Sequence, residues 1–299
     1  MEVVYGHTDS IYCQVDSVEE AQSVLSTLNE HVRSKFPNVL GLDEHPVTLE
    51  FEKYFRTLGV GATKNRNAGL ITWKDGEFLE EEEFVMTGFT AKRVSETALD
   101  KEVQITVLNM WVEEKSEDEI VEYLNDIYEK TKLGKIETER VLKRSRYRPE
   151  RFHVLCNECE TTSSLMFLTK AVCCDSPSFQ TVKKSGKGWK AAGKKPTVGS
   201  GIIGVLLHNK LNKDHIDDSY LYLKIRNNPH SIVHPTKQIV VKPEYYSAPK
   251  MEDFANFTPD WSHYAESIVK KASPVFRAMG WDEQRIRKDR KQKTLDEWF

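Results

Sequence analysis

The hydrophobic spacing of this chain changes near Ser95, and that change constrains its fold more than any other feature. From Val47 to Trp73 the apolar residues sit at strand spacing: Leu49, Phe51, Tyr54, Phe55, Leu58 and Val60, then a polar turn region, then Ala68 to Trp73. Beyond Ser95 the spacing is helical. Residues 97 to 114 carry Leu99, Val103, Val107 and Trp111, and 116 to 130 carry Ile120, Leu124, Ile127 and Tyr128. Neither an all-α nor an all-β fold accommodates both patterns. The chain is therefore expected to be α+β, with a boundary near residue 94, and its 299 residues leave room for two modest domains.

Before that boundary, Val3 to Tyr5 and Ser10 to Val15 read as two short strands around a tight turn, Gly6-His7-Thr8-Asp9. Asp16 or Ser17 can cap a helix running to about Phe36, whose buried face would hold Val18, Ala21, Val24, Leu25, Leu28 and Val32. Pro37 and Gly41 end it. Lys74-Asp75-Gly76 is a second hairpin signal, and the acidic run Glu80 to Glu83 reads as a solvated loop face. Later, Gly201 to His208 is expected to be an apolar strand and Tyr220 to Ile225 another, while Trp261 to Met279 is expected to be helical despite Pro274. No internal repeat of fixed period is present.

Composition excludes some function classes. The formal net charge is −3, so contact with nucleic acid would have to come from local basic patches. No window approaches the roughly 18 apolar residues of a membrane span, and the first residues lack a secretory pattern, so a cytoplasmic protein is expected. Five cysteines, four of them within 19 residues, argue against a disulfide framework. Cys156-Asn157-Glu158-Cys159 has the spacing of a zinc knuckle, and Cys173 and Cys174 could complete four ligands, with His153 as a substitute. Buried or unpaired thiols are the alternative. Cys13, in the second strand, is expected in the core.

Tyr5-Gly6-His7-Thr8-Asp9-Ser10 resembles motif C of family B DNA polymerases, Y-x-D-T-D-S. Carboxylates belong there because hard divalent cations prefer oxygen ligands, and two metals assist the attack of a primer hydroxyl on a triphosphate. The resemblance implies that Asp9 is a Mg²⁺ ligand, with His7 and Thr8 beside it. His7 departs from the family by replacing the first aspartate. Thr48-Leu49-Glu50-Phe51-Glu52-Lys53 is similar to the L-E-F-E-K strand of family palms, which would bring Glu50 and Glu52 near the metals. Thr63-Lys64-Asn65-Arg66-Asn67-Ala68-Gly69 is similar to the T-K-K-R-Y-A-G turn that touches primer–template DNA, implying phosphate or minor-groove contacts for Lys64 and Arg66, while Asn65 and Asn67 replace the lysine and tyrosine. Gly88 to Arg93 resembles the palm-to-thumb junction, where Arg93 fits and Ser95 replaces an acid.

The resemblance continues collinearly. Ala192 to Pro196, leading into Gly201 to Leu207, and Asp260 to Tyr264 are similar to thumb elements of archaeal members. It implies a partial antiparallel palm sheet over 1–94 and a mainly helical thumb over 95–291, with a cysteine-rich insertion at about 153–186. Residues 292–299 match the sliding-clamp pattern Q-x-x-h-x-x-a-a, with Gln292, Leu295, Trp298 and Phe299 as the PCNA-binding anchors. Motif A and the triphosphate-binding helix precede motif C in complete members. Two explanations fit, a split gene or a piece of a longer reading frame; the expectation is the small subunit of a split polymerase, sharing Mg²⁺ with a large subunit, binding primer–template DNA and the clamp, with Zn²⁺ as a second candidate metal. A catalytically decayed accessory protein that holds DNA and clamp is the rival reading. An unrelated zinc-dependent DNA-binding module is the third.

Overall fold

A computed structural model describes residues 2–7, 10–63, 65–146, 153–164, 179–191, 199–212, 216, 219–234 and 239–287. In chain order the strands and helices are β1 (Glu2–His7), β2 (Ser10–Gln14), α1 (Val18–Lys35), β3 (Lys53–Val60), β4 (Asn67–Lys74), β5 (Glu77–Thr87), α2 (Ala98–Val112) and α3 (Glu117–Lys132). There follow β6 (Lys143–Arg146), β7 (His153–Cys156), β8 (Thr162–Ser164), β9 (Phe179–Ser185), β10 (Gly188–Ala191) and α4 (Ser200–Leu211). The last are β11 (Ser219–Lys224), β12 (Ile232–Val233), β13 (Val240–Val241), β14 (Tyr245–Ala248) and α5 (Trp261–Met279). The mixed α+β class agrees with the sequence. Two compact units are present, each discontinuous: residues 1–90, 103–126 and 269–299 form the first, and 91–102 and 127–268 the second.

In the first unit, β1 and β2 form a hairpin with His7 opposite Ser10 and a bulge between Val3 and Tyr5. The helix expected after it begins where its cap predicts: the Ser17 hydroxyl accepts the Glu20 amide at 3.1 Å, and the Glu20 carboxylate accepts the Asp16 amide at 2.7 Å. Only Val18 and Ala21 of its apolar face are buried; Val24, Leu25, Leu28 and Val32 are half-covered. Strands β3, β4 and β5 make an antiparallel meander whose central strand supplies the buried Ala68, Leu70, Ile71 and Trp73. Asp75 and Gly76, at φ 52° and 101°, close the β4–β5 turn, so the second hairpin signal holds.

The acidic run is a correction. Glu80 to Glu83 lie within β5 rather than in a loop, where basic residues of the same sheet donate to two of them: Arg56 on β3 grips both oxygens of Glu82, and Lys74 on β4 reaches Glu83 at 3.0 Å. These hydrogen bonds from Arg56 hold the Glu82 carboxyl below its usual range.

The second unit corrects one further expectation. Gly201 to His208 belongs to helix α4, not a strand. Gly201, Gly204, Val205 and His208 fall at i, i+3, i+4 and i+7, and all four are buried. The missing side chains of the two glycines admit neighbours. A Cβ on Gly201 would meet the Tyr220 ring, and one on Gly204 the Ser247 side chain and backbone. There the Ser247 hydroxyl donates to the Gly201 carbonyl at 2.7 Å, and His208 Nδ1 lies 2.9 Å from the Tyr246 hydroxyl. Strands also run through the stretch expected to be mainly helical. Among described residues from 143 to 248, nine strands accompany the single helix α4, forming a β14-β11-β6 sheet, a β10-β9-β7-β8 sheet and the β12–β13 pair. The strand expected at Tyr220 to Ile225 is β11, the middle strand of its sheet.

Two outcomes follow from this packing. Gly204→Ala should lower unfolding free energy by about 1–3 kcal/mol through overpacking, whereas Gly188→Ala, whose new methyl meets open space, should be close to neutral; urea unfolding compares them. Burial raises the phenol pKa of Tyr220, Tyr222, Tyr245, Tyr246 and Tyr264 above the ordinary 10.0. Groups raised in the folded state contribute stability that is intact below pH 10 and lost as pH climbs through their folded values. Absorbance at the tyrosinate band should therefore show a late phase that coincides with loss of circular dichroism; complete ionisation near pH 10 with the fold intact would contradict this.

Candidate nucleic-acid interface

In the first unit the hairpin and strand β3 meet at one polar turn. Residues 61–66 connect β3 to β4, closed by the Gly61 amide donating to the Arg66 carbonyl at 2.8 Å. Asn65 adopts φ 62°, a left-handed conformation that asparagine tolerates better than most residues. Its carbonyl sits where a Cβ on Gly88 would be, so Gly88, itself at φ 76°, is required for the turn to seat.

The hairpin reaches the same turn through its tyrosines. The Tyr5 hydroxyl donates to Asn65 Oδ1 at 3.1 Å. Tyr5 and Tyr12 stack edgewise at 5.5 Å between centroids, and Tyr12 lies 6.0 Å from Phe55 on β3. Burial raises the Tyr12 phenol pKa, with Tyr5 and the Glu52 carboxylate adding to the effect. Glu52 is thereby close to the hairpin's second strand. Asn65, read as a lost lysine, is the residue that joins the two motifs.

Strand β3 begins only at Lys53, so the expected strand over Thr48 to Lys53 is corrected. Asn29 holds Leu49 through both its carbonyl and its amide, at 3.0 and 2.8 Å, occupying groups that a strand ladder would need. Phe51 instead stacks on Trp73 at 4.3 Å. Glu50 and Glu52 are both exposed. Arg66 is half-buried on the turn; Arg93 is exposed and belongs to the second unit. His7 is placed by its backbone pairing with Ser10. Thr8, Asp9 and Lys64 lie outside the described residues.

A second feature of this turn escaped the sequence reading. Gly61, Ala62, Thr63 and Arg66 form one wall of a cleft of about 270 Å³ whose opposite wall is the end of α5 and the turn after it. Lys270, Arg277 and Arg287 join Arg66 there, against the single carboxylate of Glu283. The i, i+3, i+4, i+7 spacing of Lys270, Ser273, Pro274 and Arg277 was the available signal.

With this geometry in view, comparison with known proteins bears on the first half of the chain. Residues 1–149 match DNA polymerase family B. The hairpin, the polar turn, the meander and helices α2 and α3 all lie inside the matched stretch. The chain is also similar to DNA polymerase 2 of Aeropyrum pernix, 28% identical over 142 residues, which are 48% of this chain and 15% of that protein. The chain thus spans only a small part of that relative. Together the two comparisons support a polymerase-related role.

The other expected sites lie apart from this turn. Cys156 ends β7 and is buried, while Cys159 is exposed with its thiol 3.3 Å from the Thr161 hydroxyl. Cys173 and Cys174 lie outside the described residues, as do Gln292, Leu295, Trp298 and Phe299. His153 and Cys156 are three residues apart on β7 and so face opposite sides of the strand, and the His153 ring packs on Trp189 at 4.1 Å. Cys13 is half-buried rather than core. Among the described residues no group of three or more His, Cys, Asp or Glu side chains is arranged to hold a metal, and no helix is long and apolar enough to cross a membrane.

The link between hairpin and turn can be measured. Tyr5→Phe and Asn65→Gly should each cost about 0.5–1 kcal/mol, glycine being chosen because it accepts the left-handed backbone. The double variant should cost little more than either single one. Full additivity in the thermodynamic cycle would show that the hydrogen bond contributes nothing.

Proposed function

We propose that this chain is the small subunit of a split family B DNA polymerase, completing a palm active site and supplying the thumb for template-directed nucleotidyl transfer. The observation that carries this reading is the tie between the motif C-like hairpin and the basic turn, within the stretch that matches the family. On this reading Asp9 is the metal-binding carboxylate of the chain, with His7 and Thr8 beside it, and Lys64, Arg66 and Arg93 contact the primer–template backbone.

The described residues do not by themselves form a magnesium site. One carboxylate at Asp9 is less than two-metal chemistry requires, so a partner must contribute another. When bound, Mg²⁺ supplies the positive charge that the transferring phosphates need. The role of this chain is to hold Asp9 on a hairpin braced by Tyr5 and Tyr12, and to hold the duplex backbone with the adjacent turn.

An exposed apolar surface supports a large protein partner. Val3, Val4 and Ile11 on the hairpin are about half exposed, and Val39 and Leu40 after α1 are 84% and 77% exposed. Strands β1 and β2 pair only with each other among the described residues, which leaves an open edge on each. A two-stranded hairpin is marginal alone, and such edges and apolar residues suit a sheet continued by another chain. The tail from Gln292 to Phe299 is proposed to recruit the sliding clamp.

The accessory reading has its own support in His7, Asn67 and Ser95, which replace family residues. Primer extension with Mg²⁺ separates the two. Synthesis should require both this chain and its large partner, be lost with Asp9→Ala, and be stimulated by the clamp unless Leu295 and Phe299 are changed to alanine. A stable complex that binds primer–template yet extends nothing would reject the catalytic reading in favour of the accessory one.

A further inference from the structure

The cleft between the 61–66 turn and the end of α5 opposes the character of the whole chain. The chain carries a net charge of −3, yet four cationic side chains, Arg66, Lys270, Arg277 and Arg287, line this cleft against one carboxylate. Lys270 and Arg277 lie two helical turns apart on one face of α5, with Ser273 between them. Arg66 and Lys270 enter no ion pair among the described residues. Four cations converging on one space repel one another, and an anion between them relieves that repulsion.

Part of this role is already filled from within. The Ser273 hydroxyl, on a side chain that is nearly buried, donates to Glu283 Oε1 at 2.6 Å. Arg277 Nε stands 3.6 Å from the same oxygen, and Arg287 Nη1 lies 3.4 Å from the Glu283 backbone carbonyl. The Arg277 side chain is 73% exposed, so its pairing with Glu283 is solvent-screened and weak. The turn carrying Glu283 is anchored separately, by Arg285 on Glu117 and Asp118 and by the buried Ile286. Glu283 is therefore held in position by the fold and not by its partnership with Arg277.

We propose that this cleft binds a phosphate group of a nucleic-acid backbone, and that Glu283 is an internal anion which the phosphate displaces from Arg277. Lys270 and Arg277 thereby join the turn residues as phosphate contacts. A phosphodiester can present two oxygens to the guanidinium in place of a single distant carboxylate oxygen, which is the stronger geometry. The volume of about 270 Å³ lies just under the roughly 300–1,000 Å³ of pockets that enclose whole ligands, and so suits a phosphate better than a complete nucleotide. Free phosphate would offer the same chemistry. The choice of a polymer backbone as its source rests on the polymerase reading; the cation cluster does not.

The test uses the full chain alone, so that an inactive reconstituted polymerase leaves its result untouched. A fluorescein-labelled primer–template duplex is titrated by anisotropy across a range of NaCl, with inorganic phosphate as a competitor at constant ionic strength. Lys270→Ala with Arg277→Ala should weaken duplex binding several-fold and reduce the salt slope by about one to two, since each lost phosphate contact removes about one. Glu283→Gln keeps an acceptor for Ser273 and removes the competing charge, so it should tighten binding about threefold or more. Lys35→Ala, which removes one positive charge at the far end of α1, should alter neither quantity, and circular dichroism melting verifies each fold. Competition by phosphate at millimolar concentration would identify the group itself as the ligand; binding of duplex without such competition would identify the polymer backbone. The proposal is overturned if Glu283→Gln leaves binding unchanged or weaker, or if Lys35→Ala matches the double variant.

Discussion

The turn at residues 61–66 is the constraint on which the first unit's chemistry depends. It is a short loop with a left-handed non-glycine residue, closed by one backbone hydrogen bond and seated against a glycine that has no side chain to obstruct it. Its Asn65 accepts the hairpin tyrosine, and its Arg66 lines the cationic cleft. A loop this short has few alternative conformations, so fixing Asn65 also fixes where Arg66 projects. The same segment thus meets two features that are far apart in sequence: Tyr5 on the first strand and Lys270 midway along the last helix.

Charge in this molecule is organised locally. Acidic residues on β5 are matched by Arg56 and Lys74 across the sheet, and Arg285 is matched by Glu117 and Asp118. These pairs leave little long-range field. The cleft differs because its cations outnumber its one carboxylate, and an unbalanced cluster is what attracts a polyanion to a chain whose overall charge is negative. Net charge alone would have argued against nucleic-acid contact; the distribution permits it.

The exposed apolar residues of the hairpin and of the segment after α1 run against the economy of the rest of the fold. The cores of both units enclose large apolar side chains: Phe276, Leu108, Ile120 and Leu124 in one unit and Leu207, Leu223 and Ile268 in the other are almost fully buried. Burial is the dominant favourable term in folding, about 25 cal/mol for each Å² of apolar surface. A helix such as α1 that leaves Val24, Leu25, Leu28 and Val32 half-covered has a face with capacity for further contact. Together with two open strand edges, this is the physical basis for the partner proposed above.

The sequence by itself determined those elements whose signal is local. Capping by Ser17, the Asp75-Gly76 turn, the helical spacing of α2, α3 and α5 and the strand β11 all follow from interactions within a few residues, and the motif C-like hairpin was legible for the same reason. Tertiary structure decided wherever local preference was ambiguous or was overridden by a distant group. Asn29 takes the backbone of Leu49 and delays β3; Tyr220 and Ser247 need the space of two glycines and make Gly201 to His208 a helix; basic residues of the same sheet draw the acidic run into β5. The cationic cleft belongs to this second class, because its walls are about 200 residues apart in the chain and only folding brings their like charges together.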